Sequence, residues 1–175
     1  MTEVLVERHP DAPLTTTDAA AIIEGGNACR EIHRLEWHRS LLSVDGQQMI
    51  CHLTGPDLES VRIALKSSPR LMRADVWSCT VRDPPGITRE DLTHANVLVS
   101  FRFELPASPE ELEAVLGSGN ICLTSHRVRM LRAFIASDRR RVICLCAAAD
   151  AESVRIALRE SRPPVDRVWA FRQFT

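Results

Sequence analysis

Hydrophobic and polar positions follow the same order of patterns in both halves of the chain. Each half opens with a β-branched strand, continues with a helix, and then shows two strands, a second helix and a last strand that carries a tryptophan. The turn at Asp45-Gly46 predicts a hairpin in the first half, and Asp138-Arg139 is its weaker counterpart. The predicted elements are opening strands at 4–8 and 97–103, first helices capped by Thr17 and Ser108, a hairpin at 36–54, second helices at 58–66 and 151–160, and last strands around Trp77 and Trp169.

The repetition extends to residue identities. The heptapeptide ESVRIAL at 59–65 recurs at 152–158, an offset of 93 positions. With that offset held from Val4 to Leu65, 22 of 62 positions are identical without a gap, among them the Gly-Asn pairs at 26–27 and 119–120 that are expected to end the first helices. Chance does not produce such agreement, so the chain is a tandem duplication. The predicted domains are residues 1–81 and 96–175, joined by a linker at 82–95.

The order β-α-β-β-α-β is that of the ferredoxin-like fold. One such unit covers only one face of its sheet with helices, so the other face needs a partner. Residues 142–147 are apolar on both faces of a predicted strand, which indicates burial on both sides. We therefore predict an α+β protein of tandem ferredoxin-like βαββαβ repeats that pack sheet to sheet as a single-chain dimeric α/β barrel, a pseudo-dimer within one chain.

Composition argues against several classes of protein. The 22 basic and 23 acidic residues give a net charge of −1, whereas nucleic-acid-binding domains usually carry a basic excess. The longest apolar run, 142–149, has eight residues, and a membrane helix needs about 20. The opening residues MTEVLVERHP lack the features of a secretory signal, so we expect a soluble cytoplasmic protein. Its six cysteines are then expected to be reduced and mostly small buried hydrophobes.

Strand alternation assigns the candidate site residues to faces. The face expected to line the space between the sheets carries Leu5, Glu7 and His9, then Trp37, Arg39 and Leu41, then Met49, Cys51 and Leu53, with the equivalent positions of the second copy. His38 and His52 alternate with these sets, so we expect them to point toward the helices as hydrogen-bonded core histidines. A second metal site is the alternative, and the second copy has Leu131 and Leu145 at the equivalent positions.

Two kinds of site, and one purely structural interpretation, compete for that lining. Glu7, His9 and Cys51 offer oxygen, nitrogen and sulfur ligands to a borderline-soft ion such as Ni²⁺ or Zn²⁺. In the structural interpretation, Glu7 pairs with Arg39 or Arg132 at a solvated barrel mouth, which satisfies both charges without binding a ligand. The second kind of site is a cationic pocket for a carboxylate or a phosphate-bearing small molecule, formed by Arg39, Arg102 and Arg132 beside Trp37.

Short motifs resemble a bacterial domain-of-unknown-function family. They are WHRS at 37–40, Asp45 with Cys51 six residues later, and PDxExVR at 56–62, and the resemblance gives one family unit per copy. The best-known member of that family is a small nickel-binding, nickel-responsive protein with a ferredoxin-like fold that dimerises. The resemblance implies binding of nickel or a small ligand, with no established catalytic activity. The chain departs from the family at Arg39 and Arg132, where the family often has histidine.

The first functional hypothesis is therefore a non-enzymatic protein that binds a metal ion or a small ligand between its two sheets. Catalytic signatures such as G-x-S-x-G, H-E-x-x-H and the Walker A motif do not occur. The alternatives are a cofactor-independent enzyme of the dimeric α/β barrel type that acts on a small anionic substrate, and a protein-interaction module that could form homodimers. The copies differ at proposed polar positions, with Glu7 against Ser100 and His9 against Arg102, so one asymmetric site is expected.

Overall fold

Helices and antiparallel strands make up both halves of the protein, which confirms the predicted α+β class. The computed structural model describes residues 1–66, 72–116, 121–161 and 164–175. They form two compact units: unit 1 comprises Met1–Cys79 and Phe171–Thr175, and unit 2 comprises Thr80–Ala170. Both copies show the predicted order β-α-β-β-α-β, and a second short helix follows the first helix in each.

In the described part of unit 1, the elements are β1 (Thr2–His9), α1 (Thr16–Gly25), α2 (Asn27–Ile32), β2 (Glu36–Ser43), β3 (Met49–Gly55), α3 (Leu58–Lys66) and β4 (Arg73–Arg82), whose end runs on into unit 2. The strands pair antiparallel in the order β4-β1-β3-β2. Residues 171–174, at the end of the chain's last strand, extend this sheet beside β2.

Unit 2 begins with the end of β4 and a short 3-10 helix, Asp91–His94. The described elements that follow are β5 (Val97–Arg102), α4 (Pro109–Leu116), α5 (Ile121–Ser125), β6 (Arg129–Ala136), β7 (Arg141–Ala147), α6 (Ala151–Ser161) and β8 (Val165–Phe174). The strands pair antiparallel in the order β8-β5-β7-β6, which repeats the order of the first four strands.

Helices cover one face of the sheet in each unit. In unit 1, Val4 and Val6 of β1 pack with Ile22 of α1 and Val61 of α3. The equivalent cluster of unit 2 joins the strands to α4 and α6 through Val97, Val99, Val115 and Val154. We call this face the helix-facing side of each sheet, and the other face the opposite side.

The first helix begins two residues earlier than its predicted cap implies. Thr15, and not Thr17, is the N-cap: its hydroxyl accepts a 3.1 Å hydrogen bond from the backbone N–H of Asp18, whose carboxylate accepts one of 3.0 Å from the Thr15 N–H. Three consecutive threonines offer three candidate caps, and only the acidic residue three positions on selects Thr15. Gly26 caps the end of α1 as predicted. The predicted helix end at Gly119-Asn120 lies outside the described residues.

Backbone conformation also repeats between the copies. Arg34 and Arg127, which are equivalent at the offset of 93, both have a φ of 55°. Gly46 and Arg139 are equivalent as well, with φ values of 71° and 55° at the two hairpin turns. Positive φ is uncommon outside glycine, so its recurrence at matching positions supports the duplication.

Gly46 combines a positive φ with a close backbone approach. A Cβ at this position would lie 2.4 Å from the carbonyl oxygen of Leu14, whose N–H donates to the Gly46 carbonyl at 2.9 Å. We expect Gly46→Ala to lower the free energy of unfolding by about 1–3 kcal/mol, because the strain of a positive φ is added to the steric clash with Leu14. Gly86→Ala is the matched control, since Gly86 has a φ of 81° with open space around it. Urea unfolding followed by circular dichroism measures both, and equal losses would contradict the packing argument.

No described helix is long and apolar enough to span a membrane. No disulfide joins the described cysteines to one another: Cys51, Cys79, Cys144 and Cys146 are buried, and Cys29 is partly exposed. This agrees with the prediction that most cysteines are small buried hydrophobes. The side chain of Cys122 lies outside the described residues.

Candidate functional site

The face predicted for the second strand of each copy is wrong at its first residue, Trp37 or Met130, and correct at the residues that follow. A bulge separates Trp37 from Arg39 in β2, so Trp37 packs on the helix-facing side whereas Arg39 lies opposite His52 on the other face. A bulge adds one residue to a strand and reverses the alternation that follows it. The same irregularity separates Met130 from Arg132 in β6.

The face predicted for the third strand is also wrong. Cys51 of β3 lies opposite Val6 of β1 and belongs to the helix-facing cluster of unit 1, and Cys144 of β7 has the equivalent position in unit 2. Every residue of β3 is buried. A strand that is buried on both faces shows no polar alternation, so its sequence alone does not fix which face meets the helices.

The three predicted metal ligands are consequently not brought together. Glu7 and His9 lie on the opposite side of the sheet, whereas Cys51 lies on the helix-facing side. Glu7 Oε1 accepts a 2.6 Å hydrogen bond from the indole Nε1 of Trp77. His9 Nε2 lies 3.2 Å from the carboxylate of Asp75. Each of these side chains therefore already has a partner on β4.

The predicted arginines have different surroundings. Arg132 donates to both carboxylate oxygens of Asp83, at 2.7 and 2.6 Å. Arg102 is half exposed, with Nε 3.7 Å from the carboxylate of Asp166. Two of the three guanidinium groups thus face a carboxylate of their own, and Arg39 is buried on the sheet of unit 1.

A different group of potential ligands lies on the opposite side of the unit 1 sheet. One ligand atom from each of Glu3, His38 and His52 lies within 4.8 Å of the other two. His52 Nε2 is 2.5 Å from Glu3 Oε2, and the two imidazole rings have centroids 4.7 Å apart. We call these three residues the Glu3–His38–His52 cluster.

Strand pairing explains how the cluster assembles. His52 lies opposite Leu5 of β1, so Glu3, two residues before Leu5, is its diagonal neighbour on the same face. His38 lies within the bulge of β2, where its Nε2 is 3.1 Å from the hydroxyl of Thr54. Both histidines thus lie on the face away from the helices, contrary to the prediction. Both are hydrogen-bonded, as predicted, and His52 is only 4% exposed.

Cys79 lies beside the cluster without offering a thiolate to it. It is opposite Glu3 in the pairing of β1 with β4. Burial, with the nearby Glu3 carboxylate as the second cause, raises the pKa of the Cys79 thiol to about 12. The sulfur therefore stays protonated at neutral pH.

Unit 2 carries Asn96, Leu131 and Leu145 at the equivalent positions. Both leucines are completely buried, and the Asn96 amide exchanges hydrogen bonds of 2.8 and 3.0 Å with the backbone of Ala148. The cluster therefore belongs to the first copy. The sequence shows this difference, since Leu131 and Leu145 stand at the positions equivalent to His38 and His52, but it does not show that the two histidines lie on one face beside Glu3.

No family model matches the chain, and neither does any curated protein. Solved structures are similar in fold. A "putative monooxygenase" from Lactobacillus acidophilus NCFM is 9% identical with a TM-score of 0.52, over 100% of this chain and 95% of that one. An anthrone oxidase-like protein is 11% identical with a TM-score of 0.53, over 99% of this chain and 92% of that one. At such low identity the similarity shows fold alone: the chain has an α+β fold like that of these proteins.

Proposed function

We propose that unit 1 binds one divalent transition-metal ion through the Glu3–His38–His52 cluster. The observation that carries this proposal is the convergence of two imidazoles and one carboxylate, with ligand atoms within 4.8 Å of one another. A metal ion holds nitrogen and oxygen ligands at about 2.0–2.2 Å, so small side-chain rotations would close the cluster around an ion. Nickel, which the resemblance implies, and zinc both suit such a donor set.

The surroundings of the cluster support a moderate affinity. The Thr54 hydroxyl beside His38 Nε2 can orient that ring, and such outer partners of a ligating histidine usually strengthen metal sites. Arg39 lies opposite His52 in the strand register, and its positive charge opposes a bound cation. We therefore expect weaker binding than at a closed structural zinc site. Binding also weakens in acid, because imidazole must be neutral to ligate a metal.

Titration of untagged, reduced protein with Ni²⁺ and Zn²⁺ by isothermal calorimetry tests the proposal. The expected stoichiometry is one ion per chain. His38→Leu and His52→Leu introduce the residues of the second copy, and each is expected to weaken binding at least about 100-fold, since even the loss of an outer partner costs 10–100-fold. His94→Leu, an exposed histidine of unit 2, is the matched control. Unchanged binding in both cluster variants, or no binding by the wild type, would overturn the proposal.

A second part of the proposal concerns the fold of each unit. We interpret each unit as a ferredoxin-like repeat, a reading supported by the order β-α-β-β-α-β, by the recurring strand order and by the sequence duplication. The packing of the two sheets on each other, and a site between them, stay predictions.

A cofactor-independent enzyme acting on a small anionic substrate is the second candidate function. Its support is the fold shared with proteins described as a "putative monooxygenase" and as "anthrone oxidase-like". Activity that persists in EDTA would support this candidate, because a cofactor-independent enzyme needs no metal, whereas a non-enzymatic metal-binding protein has no activity to retain. The interaction-module alternative predicts an oligomer whose size depends on protein concentration.

A further inference from the structure

A cleft opens on the helix-facing side of unit 1. None of the residues that line it belongs to the Glu3–His38–His52 cluster. The cleft lies among α1, α2, α3 and the sheet, and its empty space, including the open mouth, is about 520 Å³. Ligand pockets in proteins are mostly apolar with a few polar groups. The polar and aromatic lining consists of Arg8, Cys29, Arg30, Trp37, Ser40 and Cys51, and isoleucine, leucine and valine side chains supply the remaining walls.

Arg8 is the unusual group in this cleft. Its residue is only 9% exposed, and its Nε has no hydrogen-bond partner among the described residues. No carboxylate lines the described cleft, and no ion pair of Arg8 occurs in the described part of the chain. Burying an uncompensated guanidinium is costly, so buried charges in proteins are normally paired.

Other polar side chains of the cleft have hydrogen-bond partners within unit 1. The Trp37 indole donates to the Ser40 hydroxyl at 3.0 Å, and Ser40 donates to the sulfur of Cys51 at 3.1 Å. Arg30 donates to the Ile23 carbonyl at 2.8 Å, and its guanidinium carbon lies 5.8 Å from the centroid of the Trp37 ring. The cleft therefore holds two guanidinium groups, of which Arg30 is bonded to the backbone and Arg8 faces the cleft.

The duplicated copy shows that the fold does not require these polar groups. At the offset of 93, the counterparts of Arg8, Arg30, Trp37 and Ser40 are Phe101, Leu123, Met130 and Ala133. All four counterparts belong to, or pack against, the apolar core cluster of unit 2. At the described equivalent positions, unit 2 therefore has apolar core residues where unit 1 has a buried cation and its polar neighbours.

We propose that this cleft binds a small monocarboxylate with an apolar body. The carboxylate would accept hydrogen bonds from the Arg8 fork, which suits a planar anion. Trp37 and the aliphatic walls would pack against the apolar body. The proposal is independent of the metal cluster, because the cleft opens on the helix-facing side and that cluster lies on the opposite side of the sheet.

Calorimetric titration of EDTA-treated protein with phenylacetate and with hexanoate tests this assignment. The amide of phenylacetate, which has the same shape without charge, is the ligand control. Arg8→Phe is expected to weaken binding of the carboxylates about 10- to 100-fold, as for the loss of a charge-assisted hydrogen bond. Arg62→Phe, which removes an exposed arginine of α3, is the matched control and should bind as the wild type does.

Two further measurements test the assignment even if Arg8→Phe changes the stability of the protein. Arg8→Phe is expected to raise the thermal midpoint of the ligand-free protein, because it replaces a buried charge by the residue that fills this position in unit 2. Bound phenylacetate should also slow alkylation of Cys29, which lines the cleft. Absence of binding of either carboxylate to the wild type, equal binding of phenylacetate and its amide, or undiminished binding to Arg8→Phe would each overturn the proposal.

Discussion

Iodoacetamide at pH 8 is expected to modify Cys29 of the folded protein and to spare Cys79, Cys144 and Cys146. Burial raises the pKa of Cys146 to about 12, and burial with the Glu3 carboxylate does the same for Cys79. Burial, with the neighbouring Cys146, also raises the pKa of Cys144 well above its ordinary value. At pH 8 a thiol of pKa about 12 is ionised in roughly one molecule in ten thousand, about a thousandfold less than an ordinary thiol, and only the thiolate reacts.

Peptide mass spectrometry after timed alkylation measures the reaction at each cysteine. Labelling in urea is the control, since the unfolded chain should react at every thiol. The raised pKa values also give a sign to the pH dependence of stability. Because the folded state holds these protons more tightly, their contribution is complete below pH 9 and is lost between about pH 9 and 12. Labelling of Cys146 in the folded protein as fast as Cys29 would contradict the described core.

Elements whose sequences alternate or carry strong turn signals were predictable. The duplication fixed the order of strands and helices, and Asp45-Gly46 marked a hairpin that the structure contains. The Thr15 cap was missed within a run of threonines, although Asp18 was the residue that distinguished it. Local chemistry therefore located the elements, and errors of one or two residues remained at their ends.

Faces were harder to predict than elements, for two physical reasons. The bulge at His38 reverses the alternation within β2, and a bulge leaves no reliable mark in a single sequence. The third strand is buried throughout, so Cys51 and His52 are equally plausible on either face. For these reasons the sequence predicted Glu7, His9 and Cys51 as ligands, whereas the structure brings together Glu3, His38 and His52. The two copies differ at both histidines and at Arg8, but a difference between copies alone does not show which face a side chain occupies.

Phe101→Arg is expected to cost about 5 kcal/mol or more of the free energy of unfolding. Phe101 is 3% exposed and belongs to the apolar cluster of unit 2. Loss of a buried phenylalanine costs about 3–5 kcal/mol, and a buried charge without a partner adds to that cost. Small domains have only about 5–15 kcal/mol in total, so the variant should approach the limit of folding. Urea unfolding followed by circular dichroism measures the loss, with Phe101→Ala as the control that removes the ring without adding charge.

The Phe101→Arg substitution tests the interpretation of Arg8 as well as the packing of the core of unit 2. Phe101→Arg places in the second copy the residue that the first copy carries at the equivalent position, and Arg8→Phe makes the reciprocal change. If an unpaired buried guanidinium is costly in this fold, the two substitutions should change stability in opposite directions. If Phe101→Arg is no more destabilising than Phe101→Ala, the backbone accommodates such a charge without a counter-ion, and the burial of Arg8 would no longer argue for an anion in its cleft.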